Sequence, residues 1–436
     1  MAFQLPLLKG LVTPSAKERK EVEKVTGEII YAATKICADA KPQVCGSVAK
    51  DTWLAGKGEI DIFLLFRDSD KNVLETKGLD YGKKIVKSMG GKFRIAYAEH
   101  PYVRAVIRGK KVDIVPAFQT HEGELRSNVD RTPHHVRFVL ENLGGLNLDV
   151  RALKRFCECL WIYGSDLKTE GLSGYLCELL VIRYGGFASL AKASRSWKAG
   201  EFIDIKGYHK EKPAKFHEPL VVIDPVDSER NVASVLSETN FFILRKALRA
   251  FSENPSEKFF RISKHRGKVR KELAARGTYP IIVSFKTPDV IDDILYPQLR
   301  KAAGRISKEL ERAGFSVVRW DVFSSEKSFA FIELESGSIS KVEKKRGPSI
   351  YSEKNCDSFL KAHKGKKCYV EEGFLFSEVM RETTDAKAFL KKFLSGDLAR
   401  LGIPSHIAKQ RLSIETGSYR KLPETFLTQY AKKSIA

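Results

Sequence analysis

One stretch constrains this 436-residue chain more than any other: residues 46–66, "GSVAKDTWLAGKGEIDIFLLF". Its end, Ile60 to Phe66, is apolar enough to be a buried strand, yet Glu59 and Asp61 stand at its mouth. On a strand, residues i and i+2 share a face, so the two carboxylates project together. Like charges a few ångströms apart repel strongly in a poorly hydrated place, and burying even one unpaired carboxylate is costly. Asp113, in "KKVDIVPAF", repeats the anomaly: an acid in an apolar strand with nothing in its local sequence to pair it. If that strand lies beside the first, the three acids form a cluster of hard oxygen ligands suited to Mg²⁺. Glu59, Asp61 and Asp113 are therefore the expected catalytic and metal-binding residues. The competing reading is a set of salt-bridged carboxylates at a sheet edge.

The residues just before the cluster indicate what such metals would hold. "GS" follows the apolar pair Val44-Cys45, as at a strand end turning into a short helix. Gly46 permits close backbone approach there, and Ser47 offers hydroxyl and amide donors to a phosphate. Lys50, one turn on, adds charge. A capping role would explain Ser47 equally well.

Periodicity places these motifs in a larger plan. A helix is expected from Ala16 to Ala38 behind Ser15, and strands at Pro42–Cys45, Glu59–Phe66, Phe93–Tyr97, Tyr102–Ile107 and Lys111–Phe118. A helical pattern covers Lys71 to Met89, and "RGKK" at 108–111 reads as a hairpin turn. Residues 1–145 thus read as a mixed-sheet domain. Helical patterns at Val150–Tyr163, Gly174–Tyr184 and Phe187–Ala193 suggest a second, mostly helical domain over 146–257. Beyond it, a strand (Pro280–Phe285), a helix (Val290–Ala313) and two strands (Ser316–Val322, Ser328–Glu333) suggest an α+β body with a tail, 258–436. The fold class is α+β.

Charge narrows the partners. The 76 Lys and Arg against 54 Asp and Glu give +22, which suits a polyanion, nucleic acid before an acidic membrane surface. Between Lys258 and Arg276, eight Lys and Arg face a single acid, Glu272, so this run is a candidate phosphate-binding surface as well as an ordinary solvated one. No apolar run approaches the ~18–20 residues of a membrane span, and residues 1–9 lack a secretory pattern. The seven cysteines show no C-x-x-C pair and read as core residues in a reducing compartment, so the expected location is cytoplasmic, with no membrane partner.

The GS turn, the E-x-D pair and the later lone Asp together resemble the nucleotidyltransferase superfamily that includes polymerase beta-like enzymes. More specifically, "GSVAKDTWL", "EIDIFLLF", "YAEHPYV", "VDIVPAF", "VDRTPHH", "GLSGYLCELL", "DPVDSERNVA" and "DDILYPQL" resemble archaeal-type, class I, CCA-adding enzymes. The resemblance weakens after about residue 335. It implies a tRNA nucleotidyltransferase that adds C, C and A to the 3′ end of tRNA from CTP and ATP without a template, with Mg²⁺ as cofactor. It also implies a nucleotide-binding set: Ser47, Lys50, Thr132, His135, Lys154, Tyr163 and Arg230. Position 50 is more often Arg in that family, and His134 is the alternative to His135. Lys154 and Tyr163 lie on nearly opposite faces of a regular helix at ~100° per residue, so both can reach one nucleotide only if the helix ends or unwinds before Gly164. Arg230 would present polar groups to the base edge, or else act as a phosphate clamp or a structural partner of Asp224 and Asp227. Another RNA nucleotidyltransferase, such as a poly(A) or oligoadenylate polymerase, is the alternative function. The oligomeric state is left open, a homodimer included.

Overall fold

The computed structural model describes residues 5–67, 70–97, 100–121, 124–261 and 268–432. The chain forms two compact units, Met1–Ser263 and Lys264–Ala436. In the first, a five-stranded sheet is built from β1 (Ala40–Cys45), β2 (Ile60–Phe66), β3 (Lys92–Tyr97), β4 (Pro101–Ile107) and β5 (Lys110–Phe118), in the order β1-β2-β5-β4-β3. Only the β2–β5 pair is parallel.

Alternation along β2 divides the sheet into two faces. Ile60, Ile62, Leu64 and Phe66 pack against Val22, Val25, Ile29 and Ala33 of the Ala16–Ile36 helix, and against Ile85 and Val86 of the Leu79–Ser88 helix. Ser15 caps the first of these, accepting a hydrogen bond from the Glu18 amide. On the other face, Phe63 and Leu65 are covered by Val136 of the Arg131–Asn142 helix. Asp61 belongs to this second face. The helical pattern from Lys71 to Met89 is realised in three pieces, Lys71–Val73, a wider turn Leu74–Gly78, and Leu79–Ser88. A Cβ on Gly78 would lie 2.5 Å from the Pro116 Cβ, so this glycine lets the helix press onto β5. Arg108 and Gly109, both with positive φ, make the two-residue turn between β4 and β5.

The rest of the first unit is mainly helical. The helices Asn147–Cys159, Phe187–Ala193 and Glu238–Glu253 gather around the rings of Phe156, Phe187, Phe251 and Phe260. A small sheet, β6 (Glu201–Asp204), β7 (Leu220–Asp224) and β8 (Asp227–Asn231), lies in the order β6-β7-β8. The helix expected to reach Tyr163 stops at Cys159. Trp161 turns at a φ of 62°, and Tyr163 then pairs with Leu172.

In the second unit, β9 (Tyr279–Lys286), β10 (Val317–Ser324) and β11 (Lys327–Leu334) come before the three-stranded sheet of β12 (Val342–Ser349), β13 (Cys368–Glu371) and β14 (Phe374–Met380). With β15 (Ser413–Thr416), the first three form a sheet in the order β10-β11-β9-β15. The Asp292–Arg312 helix packs on one face of that sheet, while Leu273, Phe426, Leu427 and Tyr430 pack on the other. Glu333 is wholly buried on that second side, where Tyr419, Tyr430 and Thr278 hydroxyls donate to it and Arg276 pairs with it.

Within the basic run, one member departs from a phosphate-facing surface. Arg270 faces inward: it donates to the Glu424 carboxylate and to the carbonyls of Tyr419, Arg420 and Leu422. Its guanidinium holds the segment just before and at the start of the Glu424–Lys432 helix, where it finds one carboxylate and three carbonyl acceptors. Arg266 lies outside the described residues. All seven cysteines are free, five of them buried. Among the described residues, no helix is long and apolar enough to cross a membrane.

Candidate active site

Strand register assembles the centre of the site. Parallel pairing sets Asp61 directly beside Asp113, and antiparallel pairing sets Cys45 on the far side of Asp61. The chain leaves β1 at Cys45 and turns through a single helical turn, Gly46–Ala49. Gly46 has a φ of +66°, and a Cβ there would fall 1.8 Å from the Asp61 Oδ2, so only glycine lets the turn pass this close to the carboxylate. Burial first, then the nearby charges of Asp113 and Glu59, push the Asp61 carboxyl up to about 7. The Ser47 side chain is half-buried beside it.

Glu59 departs from expectation. β2 begins at Ile60, and the Glu59 side chain, 61% exposed, pairs with Lys111 at 2.9 Å. Asp113 is held by Arg104, which donates to both carboxylate oxygens at 2.9 and 2.7 Å. Among the described residues, therefore, no three carboxylates converge as a ready-made cage. The physical cause is the repulsion inferred from the sequence: two of the three acids take protein cations, and Asp61, which has none in contact, responds by a raised pKa.

Two of the expected nucleotide contacts are turned inward. Lys50 is buried and bonds Glu178 at 2.5 Å, and Lys154, also buried, reaches the same carboxylate at 3.2 Å. Thr52 completes the knot: its hydroxyl donates to Glu178 at 2.5 Å, while its carbonyl accepts from Lys154 at 3.0 Å. Burial alone would raise the Glu178 carboxyl, but Lys154 and Lys50 together hold it below its ordinary value. Burial also lowers the Lys154 ammonium, against the pull of Glu178. Neither lysine is the free surface charge that its sequence position suggests. The reason is Glu178 itself, a lone acid inside the apolar "GYLCELLVIRY" helix, which must be paired to be buried there.

A second knot lies one helical turn away. The Asp224 carboxylate meets His135 Nε2 at 2.9 Å, Arg230 at 2.6 Å and the Tyr175 hydroxyl at 3.2 Å. The His135 ring stacks on Tyr175 with centroids 3.9 Å apart, and the Lys50 Nζ lies 5.6 Å from that same tyrosine ring, which links the two knots. Burial depresses the His135 imidazole despite Asp224, whereas the hydrogen bond from His135 and the charge of Arg230 outweigh burial at Asp224 and lower its carboxyl. His134 points elsewhere, to the Thr120 hydroxyl. Thr132 and His135 are three apart on the Arg131–Asn142 helix and so share a face. Asp227 is taken by Arg131 at 2.6 Å. Because its helix has ended, Tyr163 comes back beside Lys154: a Cβ on Gly174 would be 3.2 Å from the Tyr163 hydroxyl and 3.4 Å from the Lys154 Nζ.

Comparison with known proteins covers most of the chain. Residues 31–143 match the nucleotidyltransferase domain, 148–261 the second domain of tRNA nucleotidyltransferases, and 276–410 the C-terminal domain of CCA-adding enzymes. A CCA-adding enzyme of Methanoregula boonei is 39% identical over 88% of this chain and 85% of its own length. The chain belongs to the CCA-adding enzyme family. Within that family, the Methanopyrus kandleri protein is 35% identical over 89% of this chain and 88% of its own, and that of Thermococcus gammatolerans 38% over 83% and 84%. Solved structures overlap less. The Cid1 poly(U) polymerase with Mg and 3′-dATP bound aligns with 59% of this chain and 98% of its own at a TM-score of 0.49 and 15% identity, too slight a likeness to inform the site. Against the family expectation, Tyr175, Glu178, Asp224 and Arg104 are the residues that sequence reasoning passed over or used only as neighbours. Glu178 alone carried a visible signal, as an acid in an otherwise apolar helix.

Proposed function

We propose that this chain adds and repairs the 3′-terminal C, C and A of tRNA, using CTP and ATP, without a template and with release of pyrophosphate. The observation that carries this reading is the side-by-side pairing of Asp61 and Asp113 against the Gly46 turn. Two carboxylates paired in this way can serve a chain end and a triphosphate together. Asp61, Asp113 and Glu59 fit Mg²⁺: they are oxygen donors, and the raised Asp61 carboxyl marks a place short of positive charge. When bound, Mg²⁺ acidifies a terminal hydroxyl and neutralises the triphosphate and its leaving group.

The remaining work falls to the chain itself. Ser47 and the backbone amides of its turn face the phosphates. Asp113 is placed on the side of the attacking 3′ oxygen. In this reading Lys50 and Lys154 act through Glu178 and Thr52, bracing the turn and leaving a net positive charge behind it, instead of each gripping a phosphate. Thr132, His135, Tyr163 and Arg230 surround the nucleotide, with Asp224 fixing the direction of Arg230 and the ring plane of His135. Such a reaction belongs in the cytoplasm.

The test incubates the protein with tRNA lacking its last three nucleotides, Mg²⁺, and CTP and ATP separately and together, then sizes the products. Addition that stops after two C residues with CTP alone, and after C, C and A with both, is the expected result. Long homopolymeric tails would instead identify a poly(A)-type enzyme, and no incorporation would refute transfer altogether.

A further inference from the structure

The transverse row of the sheet continues past the two carboxylates. Register places Arg104 of β4 beside Asp113, and Arg94 of β3 beside Arg104. Directly paired residues on neighbouring strands point to the same face. The row therefore reads Cys45, Asp61, Asp113, Arg104, Arg94, and the Gly46 turn stands at one end with two guanidiniums at the other. Over the guanidinium end opens a groove of about 460 Å³, lined by Glu59, Lys92, Arg94, Arg104, Lys111 and Asp113. Lys111 is taken by Glu59 and Arg104 by Asp113. Lys92 and Arg94, exposed on the edge strand, have no carboxylate partner among the described residues.

Nucleotidyl transfer brings two polyanions to one pair of carboxylates. The phosphate-binding turn occupies the Cys45 end of the row, so the second polyanion has the opposite end open to it. We propose that Lys92, Arg94 and Arg104 seat the last phosphates of the RNA acceptor strand on the outer face of β3 and β4, with Arg104 exchanging Asp113 for a phosphate as the strand arrives. This rests on the transferase reading above and adds the path of the strand that supplies the hydroxyl. Arg104 is thus a positioning residue with two partners: while it holds Asp113 the carboxylate is neutralised, and its transfer to RNA frees Asp113. An arginine suits the exchange because the same planar fork matches carboxylate and phosphate.

The experiment compares the full-length protein with its Lys92→Ala/Arg94→Ala variant on tRNA lacking its last three nucleotides. Two lost contacts should reduce the magnitude of the log affinity against log salt slope by roughly 1.4–1.8, at ~0.7–0.9 per phosphate, and raise the tRNA KM about tenfold at moderate salt. The CTP KM should stay within about twofold of wild type, since the groove is at the opposite end from the phosphate turn. A raised CTP KM with an unchanged tRNA KM would overturn the proposal and give the groove to the triphosphate; no change in either would make it an ordinary solvated surface. Arg104→Lys should retain more tRNA affinity than Arg104→Gln, and equal tRNA affinities in those two would refute the exchange. Both edge-strand side chains are exposed, and Arg94→Ala alone repeats the slope measurement, at half the size, should the double variant melt early. Equilibrium binding of the same tRNA without nucleotide decides the groove independently of product formation, so failure of CCA addition and failure of this proposal give different results.

Discussion

Replacing Gly46 by alanine would put a methyl group where the Asp61 carboxylate now sits. The new Cβ would lie 1.8 Å from Oδ2, and reaching the 3.0 Å that real contacts respect demands a displacement of about 1.2 Å, by the turn or by Asp61. A second cost comes from the left-handed backbone at a φ of +66°, roughly 1 kcal/mol for a residue with a Cβ. That second term is modest, lowering the melting temperature by ~2–4 °C in a body of this size. The displacement is another matter, because a misplacement of ~1 Å among reacting groups costs about 10²-fold in rate. Gly46→Ala should therefore lose about a hundredfold in kcat while keeping its tRNA KM within about threefold. The assay is steady-state incorporation of labelled CTP into truncated tRNA, with thermal melting followed in parallel. A variant that melts within a few degrees of wild type and retains more than a third of its kcat would refute the argument that this glycine makes room for a working Asp61.

Glu178→Gln should cost about 3–5 kcal/mol in urea unfolding, because it strands two buried lysine ammoniums without a counter-charge; a loss below about 1 kcal/mol would show that Thr52 and solvent suffice for them. His135 has a depressed folded-state pKa, so its neutral form contributes stability that is present above its unfolded pKa of ~6.5 and is lost as the pH falls through and below it. The wild-type melting temperature should accordingly fall more between pH 7 and pH 5 than that of His135→Gln, and parallel profiles would dismiss the assignment. Arg270→Ala should destabilise the second unit by roughly 2–3 kcal/mol through its lost charged hydrogen bonds. The same variant should leave the salt dependence of tRNA binding within about 0.5 of the wild-type slope, whereas a change near 0.7–0.9 would return Arg270 to the RNA surface.

What could be read from the chain was whatever its local pattern enforces. The alternation of "IDIFLLF" puts Asp61 on the opposite face from Ile60 and Ile62, and the strand, helix, strand, strand order of 279–334 follows from periodicity and turn residues alone. The exposed setting of Glu59 is not legible in the sequence, because period-two reasoning assumes that the strand has already begun, whereas Gly58 is packed against Trp53 and Val22 and the strand starts only at Ile60. The burial of Lys50 and Lys154 is equally illegible, because what buries them is far away in sequence: Glu178 lies 128 and 24 residues off, and no local window contains the trio. Arg270 likewise finds its acceptors about 150 residues on. Ionic partnerships at such separations leave no periodic trace, so a lysine destined for a buried knot looks like one destined for solvent.

The parallel pairing of β2 with β5 also has a consequence for the order in which a ribosome could complete this protein. β1 and β2 can pair as soon as residue 66 has emerged, at a stage when Asp61 is still hydrated and harmless. Asp113 arrives only after β3, β4 and their hairpin have been made, and the parallel contact with β2 must close over all the intervening chain. The step that brings the two acids together is therefore both long-range and electrostatically uphill, and Arg104, delivered one strand earlier, enters already positioned to escort Asp113 into place. Glu178 is later still, so Lys50 can find that counter-charge only once the Gly174–Tyr184 helix has been made. A chain stalled before that helix should carry a complete sheet whose Gly46 turn is not yet braced.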